Sequence, residues 1–139
     1  MYLARKILGR LVLAWTLAGA GLAGCAHAEA PPSAVAARSP EELRAAAKAA
    51  HEAKAAGGKI VDVRSAEEFA AGHIDGAIHV PVAEIEAQAA TGALGAKGDP
   101  IVVYCGSGRR AAQAAETLRG AGFSNVVNLG PMSNWETNP

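Results

Sequence analysis

The sequence predicts an α/β domain, a small parallel β-sheet with helices on both faces. Two observations carry this. Short apolar runs at Lys59–Val63, Ala77–Val80, Ile101–Tyr104 and Asn125–Leu129 alternate with Ala-rich helical runs. Strands and helices that alternate in this way argue for a parallel sheet covered on both faces. The connections are short, which suits strands joined by crossover helices.

The 139-residue chain carries no net formal charge. It is long enough for one small domain and an N-terminal extension. Alanine supplies nearly half of the hydrophobic residues and aromatics are few. The core must therefore rest on Val, Ile and Leu and on close helix packing through Ala. There is no basic stripe with interleaved aromatics, so no nucleic-acid partner is expected.

Met1 to Gly24 reads as an export signal. Arg5, Lys6 and Arg10 form a positive start, and Leu11 to Leu22 is an apolar stretch too short for a permanent membrane span. Leu22-Ala23-Gly24-Cys25 resembles the bacterial lipobox, which implies a lipid on Cys25 as the new N-terminus. Ala26 after it resembles lipoproteins sorted to the outer membrane, so a periplasmic, lipid-anchored protein is expected. Ala26-His27-Ala28 before Glu29 is an overlapping site for ordinary secretion, which would leave a free periplasmic protein. Residues 25–38, with Pro31 and Pro32, read as a flexible tether. A Cys25–Cys105 disulfide is possible by count, but each cysteine has a separate explanation.

The folded domain is expected over residues 39–139. Ser39-Pro40-Glu41-Glu42 is a capping box with proline at the first helical position, and that helix stops at Gly57-Gly58. The strand Lys59–Val63 follows. Ser65-Ala66-Glu67-Glu68 is a second capping box opening a short helix. Gly72 to Gly76 is a turn, and Ala77–Val80 is a strand ending at Pro81. A helix from Val82 to about Ala90 and a loop over Gly92–Gly98 come next. The strand Ile101–Tyr104 leads into Cys105-Gly106-Ser107-Gly108-Arg109-Arg110 and the Ala-rich helix Ala111–Leu118. Gly120 and Gly122 end that helix, Asn125–Leu129 is the last strand, and Met132–Glu136 makes a final helical turn.

The stretch from Ile101 to Arg110 carries the chemistry. Strand, glycine loop and helix in that order turn backbone N–H groups inward as an anion-binding nest, and the helix N-terminus adds positive potential. A cysteine at the mouth of such a nest has its thiolate stabilised. A cysteine after a strand is often only a small buried hydrophobe. The polar, glycine-rich loop and its two arginines favour a nucleophilic sulfur facing an anion. In parallel sheets ligands sit beyond the carboxyl ends of the strands, where Cys105 lies.

These pieces together resemble the rhodanese family of single-domain sulfurtransferases. The matching stretches are Val61-Asp62-Val63-Arg64, Glu67-Glu68-Phe69, Gly72-His73-Ile74-Asp75-Gly76-Ala77, Val103 through Arg110, and Gly122-Phe123 with Val126 to Leu129. The resemblance implies that Cys105 takes a sulfur from thiosulfate or a similar donor as a persulfide. It then passes that sulfur to cyanide or a thiol. Gly106, Ser107, Gly108, Arg109 and Arg110 would bind the donor, with Arg110 on its sulfonate end and Arg109 at the exposed rim. Asp62 and Arg64 would support the loop or pair with Glu68, and His73 would be structural. No metal and no cofactor is expected, and the membrane is met only through the lipid. Asp75 stands where the family usually has proline, and Gly130-Pro131 replaces a more usual glycine pair.

Two other functions remain open. Cysteine-dependent phosphatases and arsenate reductases use C-x5-R, whereas this loop is C-x4-R and one residue shorter. A non-catalytic rhodanese-like binding module typically lacks the nucleophile, which is present here. Thioredoxin-type redox chemistry lacks its C-x-x-C.

Overall fold

The computed structural model describes residues 38–137. The export signal, Cys25 and nearly all of the tether lie outside the described residues. Four helices and four strands follow in the order α1 (Pro40–Ala55), β1 (Lys59–Asp62), α2 (Ala66–Ala70), β2 (Ala77–His79), α3 (Ile85–Thr91), β3 (Ile101–Cys105), α4 (Arg109–Gly120) and β4 (Val126–Pro131). Single 3-10 turns precede α3 at Val82–Glu84 and follow β4 at Met132–Thr137.

Both capping boxes form. The Ser39 hydroxyl accepts from the Glu42 amide at 3.2 Å, and the Ser39 amide donates to the Glu42 carboxylate at 2.6 Å. Ser65 and Glu68 repeat the exchange at the start of α2. Each pairing satisfies donors that a helix start leaves open. Gly58, between α1 and β1, is glycine for a steric reason. A Cβ there would lie 2.6 Å from the Ala53 carbonyl and 2.8 Å from Pro100.

All strands run parallel, in the order β2-β1-β3-β4. The chain steps outward from β1 to β2, crosses back to β3, and continues to β4. The strand order therefore reverses between β1 and β3, which opens a crevice at their carboxyl ends. α1 covers one face, where Ala47, Ala50 and Ala53 meet Ile60, Val102, Tyr104 and Leu129. α3 and α4 cover the other, where Ile85, Ala111, Ala114, Ala115 and Leu118 pack on Val61, Val63, Ile101 and Val103. All five residues of β3 are buried.

Several boundaries differ from the sequence expectation, and those near the cysteine loop matter most. α4 starts at Arg109 and takes both arginines into its first turn. β3 includes Cys105. β4 runs on through Gly130 to Pro131, past an irregularity that pairs Val103 with Asn128 but Tyr104 with Gly130. The Asn128 side chain holds this bulge by accepting the Gly130 amide at 3.0 Å, an Asx turn invisible to strand periodicity. Arg38, assigned to the tether, belongs to the domain. Its guanidinium donates to the Asn128 carbonyl at 2.8 Å on the outer side of β4.

Beneath the crevice lies a buried ion pair. Asp62 is 0% and Arg64 8% exposed. Asp62 accepts the Arg64 backbone amide at 2.9 Å and its Nε and Nη2 at 2.7–3.0 Å. Arg64 Nη2 also donates to the Gly72 carbonyl at 2.6 Å. Burial alone would push the Asp62 carboxyl up, but the hydrogen bonds from Arg64 outweigh it and hold the group below its ordinary range. Burial also pushes the Tyr104 phenol up to about 12.

Two predictions follow from this framework. Arg38→Ala should cost about 1 kcal/mol of stability, read by urea unfolding, because one hydrogen bond at a partly buried site is lost. A cost near zero would place Arg38 with the tether after all. Asp62 is depressed in the folded state, so its contribution is present above the ordinary carboxylate range near 4. It is lost as pH falls through the lower folded value. Tyr104 is raised, so its contribution is whole below pH 10 and lost as pH rises towards 12. Melting temperature should fall on both flanks. Asp62→Asn should cost about 3–5 kcal/mol at neutral pH by stranding Arg64, and should flatten the acid flank.

Candidate active site

The site grows from the end of β3. Val61 and Val103 pair across β1 and β3, and Asp62 pairs with Tyr104. Cys105 therefore emerges one residue beyond the paired end of β1. On its other side it pairs with Pro131 of β4. The following loop turns sharply at Gly108, whose φ is +88°. A side chain at Gly108 would be strained by that angle and would also press on Pro131 Cδ at 3.2 Å.

The turn brings the Gly108 amide back to the Cys105 sulfur, to which it donates at 3.0 Å. α4 begins at the next residue without a side-chain cap. Its first amides are thus left for the loop or for an anion. Cys105 itself is fully buried, beneath exposed Gly106 and Ser107. The sulfur is a free thiol among the described residues.

The two arginines differ as expected in exposure. Arg109 is exposed at the rim and Arg110 is half-buried. What the sequence did not disclose is the partner of Arg110. Its two terminal nitrogens donate to the two oxygens of Glu68 at 2.6 and 2.9 Å. The same Glu68 carboxylate accepts the Ser65 amide at 3.1 Å in the α2 capping box. The Arg110 guanidinium, helped by the Ser65 amide, holds the Glu68 carboxyl down to about 2. Glu68 thus pairs with Arg110 and not with Arg64, which is taken by Asp62. The signal available in the sequence was the capping box, but a pair 42 residues apart has no local signature.

His73 makes its contacts locally, with Phe69. Its ring stacks on Phe69 with centroids 3.9 Å apart, and its Nδ1 lies 3.0 Å from the Phe69 carbonyl. His79 packs near the other side of Phe69 and bonds the Arg64 carbonyl at 3.0 Å. Asp75 offers its backbone carbonyl to Lys54 at 3.0 Å. It takes no part in the loop.

Comparison with known proteins agrees with this geometry. The sequence profile of the family described as rhodanese-like domain matches residues 39–138. The Escherichia coli thiosulfate sulfurtransferase PspE is 38% identical over 74 residues, 53% of this chain and 70% of that protein. The human thiosulfate:glutathione sulfurtransferase is 36% identical over 89 residues, 55% of this chain and 77% of its own length. The putative sulfur carrier protein YrkF of Bacillus subtilis is 42% identical over 77 residues, but the chain spans only 40% of its length. Among solved structures, an E. coli rhodanese with anions superposes with a TM-score of 0.53 at 36% identity, covering 58% of this chain and 93% of that one. A human single-domain sulfurtransferase gives 0.54 at 32% identity, covering 73% and 96%. The profile match spans residues 39–138, nearly all of the described residues. This chain belongs to the rhodanese-like domain family.

Proposed function

We propose that the protein is a sulfurtransferase that moves a sulfane sulfur from thiosulfate or a similar donor to cyanide or a thiol. The observation that carries the reading is the Gly108 amide donating to the Cys105 sulfur at the uncapped start of α4. An acceptor role suits a thiolate, and the same donors suit an incoming anion. Relatives named thiosulfate sulfurtransferases support it.

In the first half-reaction the Cys105 thiolate attacks the outer sulfur of thiosulfate. A new S–S bond forms, the old one breaks, and sulfite leaves with the bonding pair. Cys105 is left as a persulfide anion. In the second half-reaction the acceptor attacks the outer sulfur and the thiolate returns. When the acceptor attacks as an anion, cyanide or a thiolate, neither half-reaction moves a proton, so no general base is required. Because the sulfur is buried, the loop must open to admit the donor, and Gly106 and Gly108 give it the backbone freedom.

Arg109 steers the anion from the rim. Arg110 offsets the Glu68 charge and leaves the loop able to accept a further anion. We also propose that Cys25 is lipidated and that the domain acts in the periplasm at the outer membrane. That reading rests on the Leu22-Ala23-Gly24-Cys25 pattern.

Cys105→Ser should abolish thiosulfate:cyanide turnover while keeping the melting transition. Mass spectrometry after thiosulfate treatment should show one added sulfur on the Cys105 peptide, removed by cyanide. Hydrolysis of aryl phosphates with no retained sulfur would instead establish the phosphatase reading. Arg110→Gln should lower kcat/KM for thiosulfate by roughly one to two decades, because it leaves the Glu68 charge unmatched beside the loop, an effect on the order of 1.5–3 kcal/mol. An unchanged value would remove Arg110 from donor capture. For the lipid, fractionation of a Gram-negative host should place the wild type in the membrane and Cys25→Ser in the soluble fraction. A soluble wild type starting at Glu29 would overturn the anchor.

A further inference from the structure

The Glu68 carboxylate lies against the nucleophile's loop. A Cβ built on Gly106, the residue after Cys105, would stand 3.4 Å from Glu68 Oε1 and 3.6 Å from Arg110 Nη2. The ion pair thus faces the Gly106 backbone, next in sequence to the nucleophile. The pair is two-pronged at 2.6 and 2.9 Å, and Glu68 is locked from behind by the Ser65 amide. Arg110 and the Ser65 amide hold the Glu68 carboxyl down to about 2, so it is ionised at neutral pH.

This arrangement has an electrostatic consequence. An unpaired Arg110 would present a full positive charge to the donor. Paired, it presents a charge already matched by Glu68, so the loop recognises an anion through backbone amides, the α4 start and Arg109. The repulsion from Glu68 grows with each negative charge on the donor. Thiosulfate carries two. An organic thiosulfonate or a persulfide carries one, located on the sulfur to be transferred or its neighbours.

We propose that Glu68 is a specificity-determining residue that biases the Cys105 loop towards singly charged sulfane donors, organic thiosulfonates and persulfides, over dianionic thiosulfate. The inference rests on the sulfurtransferase reading. With a thiosulfonate the Cys105 thiolate attacks the outer sulfur, the S–S bond to the sulfonyl group breaks, and a sulfinate leaves with the bonding pair. Charge balances, with two single negative charges before and after.

The test compares kcat/KM for thiosulfate and for benzenethiosulfonate, with cyanide as acceptor and at fixed ionic strength. It uses the full chain as wild type, Glu68→Gln and Glu68→Asp. Glutamine keeps the capping box, so α2 retains its start. Removing one charge beside the loop changes the binding of the donor's second charge on the order of tenfold at a partly exposed site. The thiosulfate-to-thiosulfonate ratio of kcat/KM should therefore rise about tenfold in Glu68→Gln and stay near the wild-type ratio in Glu68→Asp. A Glu68→Gln ratio that is unchanged or lower overturns the proposal, since a purely structural role slows both donors alike. An equal rise in Glu68→Asp also overturns it, because the charge is then not the cause. If the wild type transfers sulfur from neither donor, the sulfurtransferase reading itself fails.

Discussion

The Gly108 amide reaches the Cys105 sulfur because the chain reverses within three residues, and only glycine tolerates the angle and the contact with Pro131. Where that reversal happens is decided by β3. Its five residues are buried between β1 and β4 and between two helical layers, so its end cannot drift. The sulfur therefore sits at a fixed height in the crevice where the strand order reverses. The start of α4, the aim of its free amides and the placing of both arginines follow from this.

The second support comes from one short stretch, Asp62 to Glu68. At its beginning, Asp62 and Arg64 form a buried pair that ties the end of β1 to the Gly72 carbonyl. At its end, Glu68 closes the α2 capping box and grips Arg110. The β1–α2 segment thus braces the β3–α4 segment from the side and from below. The two pairs differ in what they do. The Asp62 pair is desolvated, so its worth lies in leaving no charge stranded. The Glu68 pair is open to solvent, so its direct worth to stability is small. Its effect falls on the field in the loop.

Alanine carries much of the packing. Ala47, Ala50 and Ala53 let α1 lie close on one face, and Ala111, Ala114 and Ala115 do the same for α4 on the other. Larger helix side chains such as Ile85 and Leu118 fill the space between these close contacts. Close helices on both faces leave the carboxyl ends of β1 and β3 as the open end of the domain. Beside them the apolar groove lined by Ile74, Met132 and Trp135 flanks the opposite face of the sheet from the sulfur.

The sequence by itself determined the order of elements, the parallel sheet, the capped starts of α1 and α2, and the cysteine loop with its helix. Each is encoded within a few residues, in apolar runs, Ser-x-x-Glu patterns and glycines, so each can be read locally. Tertiary structure alone decided the rest. It extended β4 to Pro131 through an Asx turn at Asn128, and it drew Arg38 onto the carbonyl of the same residue. It chose Arg110 over Arg64 as the partner of Glu68. Several arginines compete for a few carboxylates, and the winner is set by distances that exist only once β1 and β3 lie side by side.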